Sequence, residues 1–180
     1  MSFELQPHLE NDLIELRPLQ AGDSDALYAV ASDPLIWEQH PERNRHEPAV
    51  FRRFFRESLE SGGALVAIDP ATRRIIGSSR YHGYDPAKSE IEIGWTFLAR
   101  AYWGGKYNGS MKDLMLKHAF RFVRSVVFLV GPGNIRSQKA MEKIGGVRIA
   151  PRRNTKGLES VVYEVTAAAF AQRSGKRPPG

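Results

Sequence analysis

Three short stretches of this 180-residue chain carry side chains suited to chemistry. Glu90 and Glu92 stand two apart in the run EIEIGWTFL (Glu90–Leu98), which reads as a strand, so their carboxylates share one face. A carboxylate so placed could take a proton from an ammonium group, directly or through water; a solvated acid on a strand edge is the plainer role. The second stretch, WGGKYNG over residues 103–109, sets Gly104, Gly105 and Gly109 between the end of that strand and an amphipathic helix expected over 110–123. Glycines let backbone approach a ligand closely, and the free amides at a helix start attract phosphate with the dipole behind them. An ordinary strand-to-helix turn has the same composition. No Lys-Ser/Thr pair follows the glycines and no repeated parallel units surround them, which excludes a Walker A loop and a Rossmann fingerprint. In the third stretch, Asn134 follows Gly131-Pro132-Gly133 and is placed to cap a helix over 134–144, with the Ser137 hydroxyl in its first turn.

The elements that must position these groups are legible as changes of period. Residues 13–19 (LIELRPL) alternate as a half-buried strand does, and Asp23 is a plausible cap for a short helix ending before Pro34. Val50, Phe51, Phe54, Phe55 and Leu59 recur at helical spacing over 47–61, with arginines on the other face and Gly62-Gly63 as the stop; these aromatics read as core. Strands are expected over 64–68, 74–81 and 90–98, the mark of an antiparallel meander, then over 126–130, 147–151 and 160–165. One domain is expected over 1–171, and the polar residues 172–180 read as a flexible tail.

Composition narrows the chemistry. With 42% hydrophobic and 26% charged residues the chain is an ordinary globular one, and without cysteine it has no thiolate nucleophile, disulfide or Cys-based zinc site. The five histidines are too widely spaced for a metal-ligand pattern, so no metal is expected, and His118 on a buried helix face reads as structural. No window approaches a membrane span and the first residues carry acids, so the cytoplasm is the default compartment. A net charge of +6 invites a nucleic-acid reading, but the basic residues are scattered in short groups such as Arg43 to Arg45 and Arg52 to Arg56.

Glu92-Ile93-Gly94-Trp95, Tyr102-Trp103-Gly104, Asn134-Ile135-Arg136-Ser137 and Glu142-Lys143-Ile144-Gly145 together resemble the GCN5-related N-acetyltransferase (GNAT) superfamily, particularly its ribosomal-protein alanine N-acetyltransferase branch. The resemblance spans the chain from its first strand to its last. It implies an α/β (α+β) GNAT fold: a mixed, mostly antiparallel sheet of six to seven strands, splayed between the fourth and fifth, with about four helices. It implies an enzyme that moves an acetyl group from acetyl-CoA to a primary amine, of a protein N-terminus or a small molecule, by direct attack on the thioester.

The resemblance also assigns roles. The pyrophosphate of CoA would lie on Arg100, Trp103, Gly104, Gly105, Lys106, Tyr107, Asn108 and Gly109, with Lys106 where the family's second glycine usually stands. The pantetheine would run along the strand carrying Trp95 and Phe97, whose backbone is the expected oxyanion donor, and Asn134 and Ser137 would touch the cofactor. Glu92 is the candidate base. Met141 occupies the place of a tyrosine acid seven residues beyond the asparagine, so Ser137 is the candidate partner of the leaving thiolate. Trp37, His40 and Arg43, in the segment joining the first two helices, and Glu90 are expected on the acceptor side. Two other readings remain open: a GNAT-fold protein that binds acyl-CoA in a regulatory role, and an RNA or ribosome-associated basic module. Exposed strands near the C-terminus could pair two copies into a homodimer.

Overall fold

The structure is a computed structural model and describes residues 2–175. Its strands are β1 (Leu9–Glu10), β2 (Glu15–Pro18), β3 (Ala64–Ile68), β4 (Ile75–Asp85), β5 (Glu90–Leu98), β6 (Ser125–Val130), β7 (Val147–Arg153) and β8 (Glu159–Thr166). Its helices are α1 (Ser24–Ala31), α2 (Pro48–Glu60), α3 (Lys106–Ala119), α4 (Ile135–Lys143) and α5 (Ala167–Gly175). All the strands join one sheet in the order β1-β2-β3-β4-β5-β6-β8-β7. The described residues thus hold eight strands and five helices, one strand and one helix beyond expectation. The extra strand, β1, has two residues, too few for any alternation to show. The extra helix follows β8 with no breaker between them. The Thr166 hydroxyl receives the Ala169 amide at 3.2 Å, and the Phe170 ring lies 5.3 Å from that of Phe120. Residues 172–175, expected in a tail, are the last turn of this helix; 176–180 lie outside the described residues. Among the described residues no helix is long and apolar enough to cross a membrane.

Asp23 does not cap α1 with its side chain. Its carboxylate receives the Gln20 amide at 2.8 Å and pairs with Arg17 through two bonds of 2.9 Å, fastening the turn before α1 to β2. Arg17 holds the Asp23 carboxyl below the usual range against the opposing effect of burial.

Every pairing is antiparallel except β5 with β6, which are parallel because α3 crosses between them. That pairing covers only Glu90 to Glu92 against Ser125 to Val127. Beyond it β5 runs on to Leu98 and β6 to Val130 without bonding to each other, so the sheet opens into a V. This is the splay the resemblance implied, with the strand numbers raised by one because β1 precedes.

The sheet is buried on both faces, which is why all of β3 is apolar. Leu65 and Ala67 join one core with Ile91, Ile93, Met111, Met115 and Phe128; Ala64, Val66 and Ile68 join the other with Trp37, Phe51, Phe54 and Phe97. Strand β5 shows a break in this alternation. Ile91 and Ile93 face the α3 side, yet so does Leu98, while Trp95 and Phe97 face the α2 side. The cause is a bulge: Arg80 pairs with Gly94 and Ser78 with Phe97, so two steps of β4 oppose three of β5. Trp95 takes the extra step at φ +52°, a left-handed backbone that a bulky residue rarely adopts.

Candidate active site

A cleft of about 1570 Å³ enters the V between β5 and β6. One end is built mainly of backbone. Helix α3 begins at Lys106, four residues earlier than expected, so Lys106, Tyr107, Asn108 and Gly109 form its first turn and not a loop. The Tyr107 ring packs edge-on against Tyr102 at 4.8 Å. Gly105 caps α3 without a side-chain hydrogen bond, leaving the first amides free, and Gly104 turns the chain at φ +70°. A Cβ built at Gly104 or Gly105 meets nothing within 4 Å, so the space before the helix is open. Lys139, Lys143 and Arg173 also line the cleft.

The floor is set by α4. Asn134, buried, receives the Ser137 amide at 3.2 Å, the cap expected of it, and Ser137 lines the cleft. Met141, one turn on, is buried in the wall beside it. Arg136 ties this end to the opposite wall: its amide donates to Gln39 Oε1 at 3.0 Å, its guanidinium to Ile36 O at 3.2 Å and lies 3.9 Å over the Trp103 ring. Trp103 in turn donates its indole N–H to Leu98 O at 2.8 Å. On the α3 side lies Lys112, 1% exposed, its ammonium donating to Ser79 Oγ at 3.4 Å and to Thr96 Oγ1, and 5.5 Å from the Phe128 ring. It stands across the gap of the V, and burial lowers it to about 7.

The other end is built of charged side chains. Glu92 points into the cleft on the face carrying Arg80, His82 and Trp95. Burial raises its carboxyl to about 7, against the lowering pull of Arg80 and Arg152. Arg80, 6% exposed, lies 4.3 Å over Trp95; Arg45, 5% exposed, lies 4.5 Å over Phe54 and 5.0 Å over Trp37. His40 packs edge-on against Trp37 at 5.4 Å, and its Nδ1 receives the Glu42 amide at 2.9 Å, so Nε2 carries the proton. Burial, with Arg45 and Lys156 nearby, lowers His40 to about 3, which keeps it neutral.

Of the predicted residues, Glu92, Trp95, Phe97, Trp103, Gly104, Gly105, Asn108, Gly109, Asn134, Ser137, Trp37 and His40 line this one cleft. Five do not. Glu90 receives Arg152 in a two-bonded pair of 2.6 and 3.0 Å, Arg100 pairs with Asp33, and Arg43, Lys106 and Tyr107 lie off the wall. Trp37 is 2% exposed and donates its indole N–H to Ala31 O at 2.8 Å, a packing role at the base of the cleft. His118 is structural, bonded to Glu4 O at 2.8 Å. Arg45, Arg80 and Lys112 escaped the sequence reading. Their signals were faint: an arginine in the middle of a strand, and a lysine on the helical face of Met115, Leu116 and Ala119.

Residues 14–147 match the profile of the acetyltransferase (GNAT) domain. The chain belongs to the GNAT family. Among solved structures, a GCN5-related N-acetyltransferase from Brucella melitensis superposes with TM-score 0.80 at 20% identity, covering 92% of this chain and 81% of that one. A GNAT-family acetyltransferase from Bacillus anthracis gives 0.70 at 19%, covering 89% and 98%. The spermidine N-acetyltransferase of Vibrio cholerae, in complex with CoA and spermine, gives 0.68 at 14%, covering 89% and 99%. No curated protein sequence matches the chain. This GNAT protein is an acetyltransferase whose acetyl donor is acetyl-CoA. The backbone end of the cleft fits that donor: free helix amides and open space at two glycines suit a pyrophosphate.

Proposed function

We propose that this GNAT acetyltransferase is an N-acetyltransferase that delivers the acetyl group to a primary amine, with Glu92 as the group that removes the ammonium proton. The observation that carries this reading is the position of Glu92: a carboxylate raised to about 7, where β5 parts from β6 and the two ends of the cleft meet. A base of that strength accepts a proton near neutral pH and passes it to water. The amine nitrogen then attacks the thioester carbon; the C–N bond forms, the C–S bond breaks, and the thiolate of CoA takes up a proton. The unpaired edge of β5 beyond Glu92 supplies backbone amides for the carbonyl oxygen, and the Ser137 hydroxyl donates to the departing sulfur. Met141 has no proton to give, so the thiolate is met by a hydrogen bond and by water, a modest demand because positioning supplies most of the rate in such direct transfers.

The test is acetyl transfer to a panel of amines, followed as free thiol released from acetyl-CoA, for wild type and Glu92→Gln, alongside calorimetric binding of acetyl-CoA. Turnover by wild type with a rate that rises through pH 7, lost in a variant that binds acetyl-CoA normally, supports the reading. Tight acetyl-CoA binding with no transfer to any amine overturns it.

A further inference from the structure

The acceptor end of the cleft holds two guanidinium groups that the chain itself leaves incompletely used. Arg45 comes from the segment between α1 and α2, and Arg80 from the middle of β4; both are more than nine-tenths buried and both line the cleft. Each sandwiches against aromatic rings, Arg45 over Phe54 and Trp37, Arg80 over Trp95 and, at 6.0 Å, Phe54. In each the Nε atom is buried with no hydrogen-bond partner. Arg80 donates to the neutral Ser58 hydroxyl, which is itself committed to Phe54 O at 2.8 Å. Arg45 pairs with Glu42, but Glu42 is also held by Lys156 from the turn between β7 and β8, so one carboxylate serves two cations. The remaining acids facing the pair are Glu57, which is exposed, and Glu92, the proposed base. Burial lowers both arginines only to about 10, so they remain cations at neutral pH.

A buried guanidinium without its full set of acceptors costs stability, and a site retains such a group where a ligand completes it. We infer that the acceptor amine of this enzyme carries a carboxylate, which docks on the guanidinium Nη groups that Arg45 and Arg80 present to the cleft while its amine reaches Glu92. The planar fork of arginine matches a carboxylate in two-bonded geometry, and the aromatic stacking fixes the plane of each fork. The same two cations lower the pKa of an ammonium bound beside them, easing its deprotonation, and they repel a polycation. The acceptor chemistry is therefore opposite to that of the spermine held in the Vibrio cholerae structure. This inference rests on the N-acetyltransferase reading for the amine and on the arginines alone for the carboxylate.

The experiment compares kcat/KM for matched acceptors: the common α-amino acids, their amides, the corresponding decarboxylated amines, short peptides that begin with aspartate or glutamate, aminoethyl phosphate and spermidine. Carboxylated acceptors are expected to lead their amides by about tenfold or more, with the free amino acids and the acidic peptides separating the two sources of the carboxylate. Arg80→Gln and Arg45→Lys should collapse that lead to within about threefold while the KM for acetyl-CoA stays unchanged. Equal use of amides or spermidine, preference for the phosphate, or an unchanged lead in both variants overturns the inference. A second arm needs no turnover: calorimetry of N-acetylated amino acids against their amides, on wild type and Arg80→Gln. Arginine-dependent binding there with no acetyl transfer to any amine would sink the enzymatic reading and leave the carboxylate site standing; equal binding of acid and amide would sink the site.

Discussion

The two ends of the cleft are made from different materials. At the proposed donor end the available groups are backbone: the free amides that open α3, two glycines with empty space before them, and the unpaired edge of β5. At the proposed acceptor end they are side chains, Glu92, Arg45, Arg80 and His40, each shifted from its ordinary proton affinity by burial. Backbone groups are the same whatever the residue, so the donor end can hold an invariant ligand at little cost in stability. The acceptor end stores electrostatic strain in named side chains, so its specificity can be altered one residue at a time.

The sharpest way to break this contrast is Glu92→Gln. On the proposed mechanism it lowers kcat/KM by about 10²–10³ at pH 8 while acetyl-CoA binding persists. In wild type, kcat/KM should climb with pH through about 7, since the carboxylate is the active form. The same change should stabilise the fold. A folded carboxyl at about 7 and an unfolded one near 4.5 mean that native Glu92 binds its proton more tightly, so stability is lost as pH rises between those values. The variant escapes that penalty, so it should melt higher than wild type above pH 7, by about 1–3 kcal/mol of stability, and gain nothing at pH 4. A variant that loses activity and also melts lower at pH 8 would place Glu92 in the packing and not in the chemistry.

The donor end predicts a different signature. Gly105→Glu puts a negative charge where the space is open and the backbone is extended, so the fold should hold while acetyl-CoA binds about 30-fold more weakly, read by calorimetry. Unchanged binding would remove the α3 start from the donor site. Lys112→Met then asks whether the buried ammonium across the V belongs to either end. Native Lys112, lowered to about 7 from an unfolded value near 10.5, is penalised fully below pH 7 and not above pH 10.5. The methionine variant should therefore gain about 1–2 kcal/mol at pH 6 and nearly nothing at pH 10, because Ser79 and Thr96 keep their mutual bond of 2.8 Å. A loss of stability at pH 6 would make the ammonium a structural donor. Smallest of all, Ser137→Ala should slow kcat about threefold with the acetyl-CoA KM unchanged, and no change at all would leave the thiolate to water.

The amino-acid order by itself determined what depends on near neighbours. Helical and strand periods are set within a few residues, so α2, β3 and β5 fall where their apolar spacing put them, and Asn134 caps α4 as its side chain requires. The glycine pair before α3 was legible for the same local reason, although the helix starts at Lys106 and takes over half of the expected loop. Burial of charge was decided only in three dimensions. Glu90 and Glu92 look alike in sequence, yet Arg152, 62 positions away, takes one, while the other is left in the cleft. Arg45 and Arg43 differ by two positions in one basic segment, and only packing against Phe54 and Trp37 sends the first inward. The bulge at Trp95 likewise follows from the pairing of β4 with β5, and it turns Trp95 and Phe97 toward the α2 side of the cleft. Desolvation is a property of everything within a few ångströms, and those neighbours come from elements far apart in the chain.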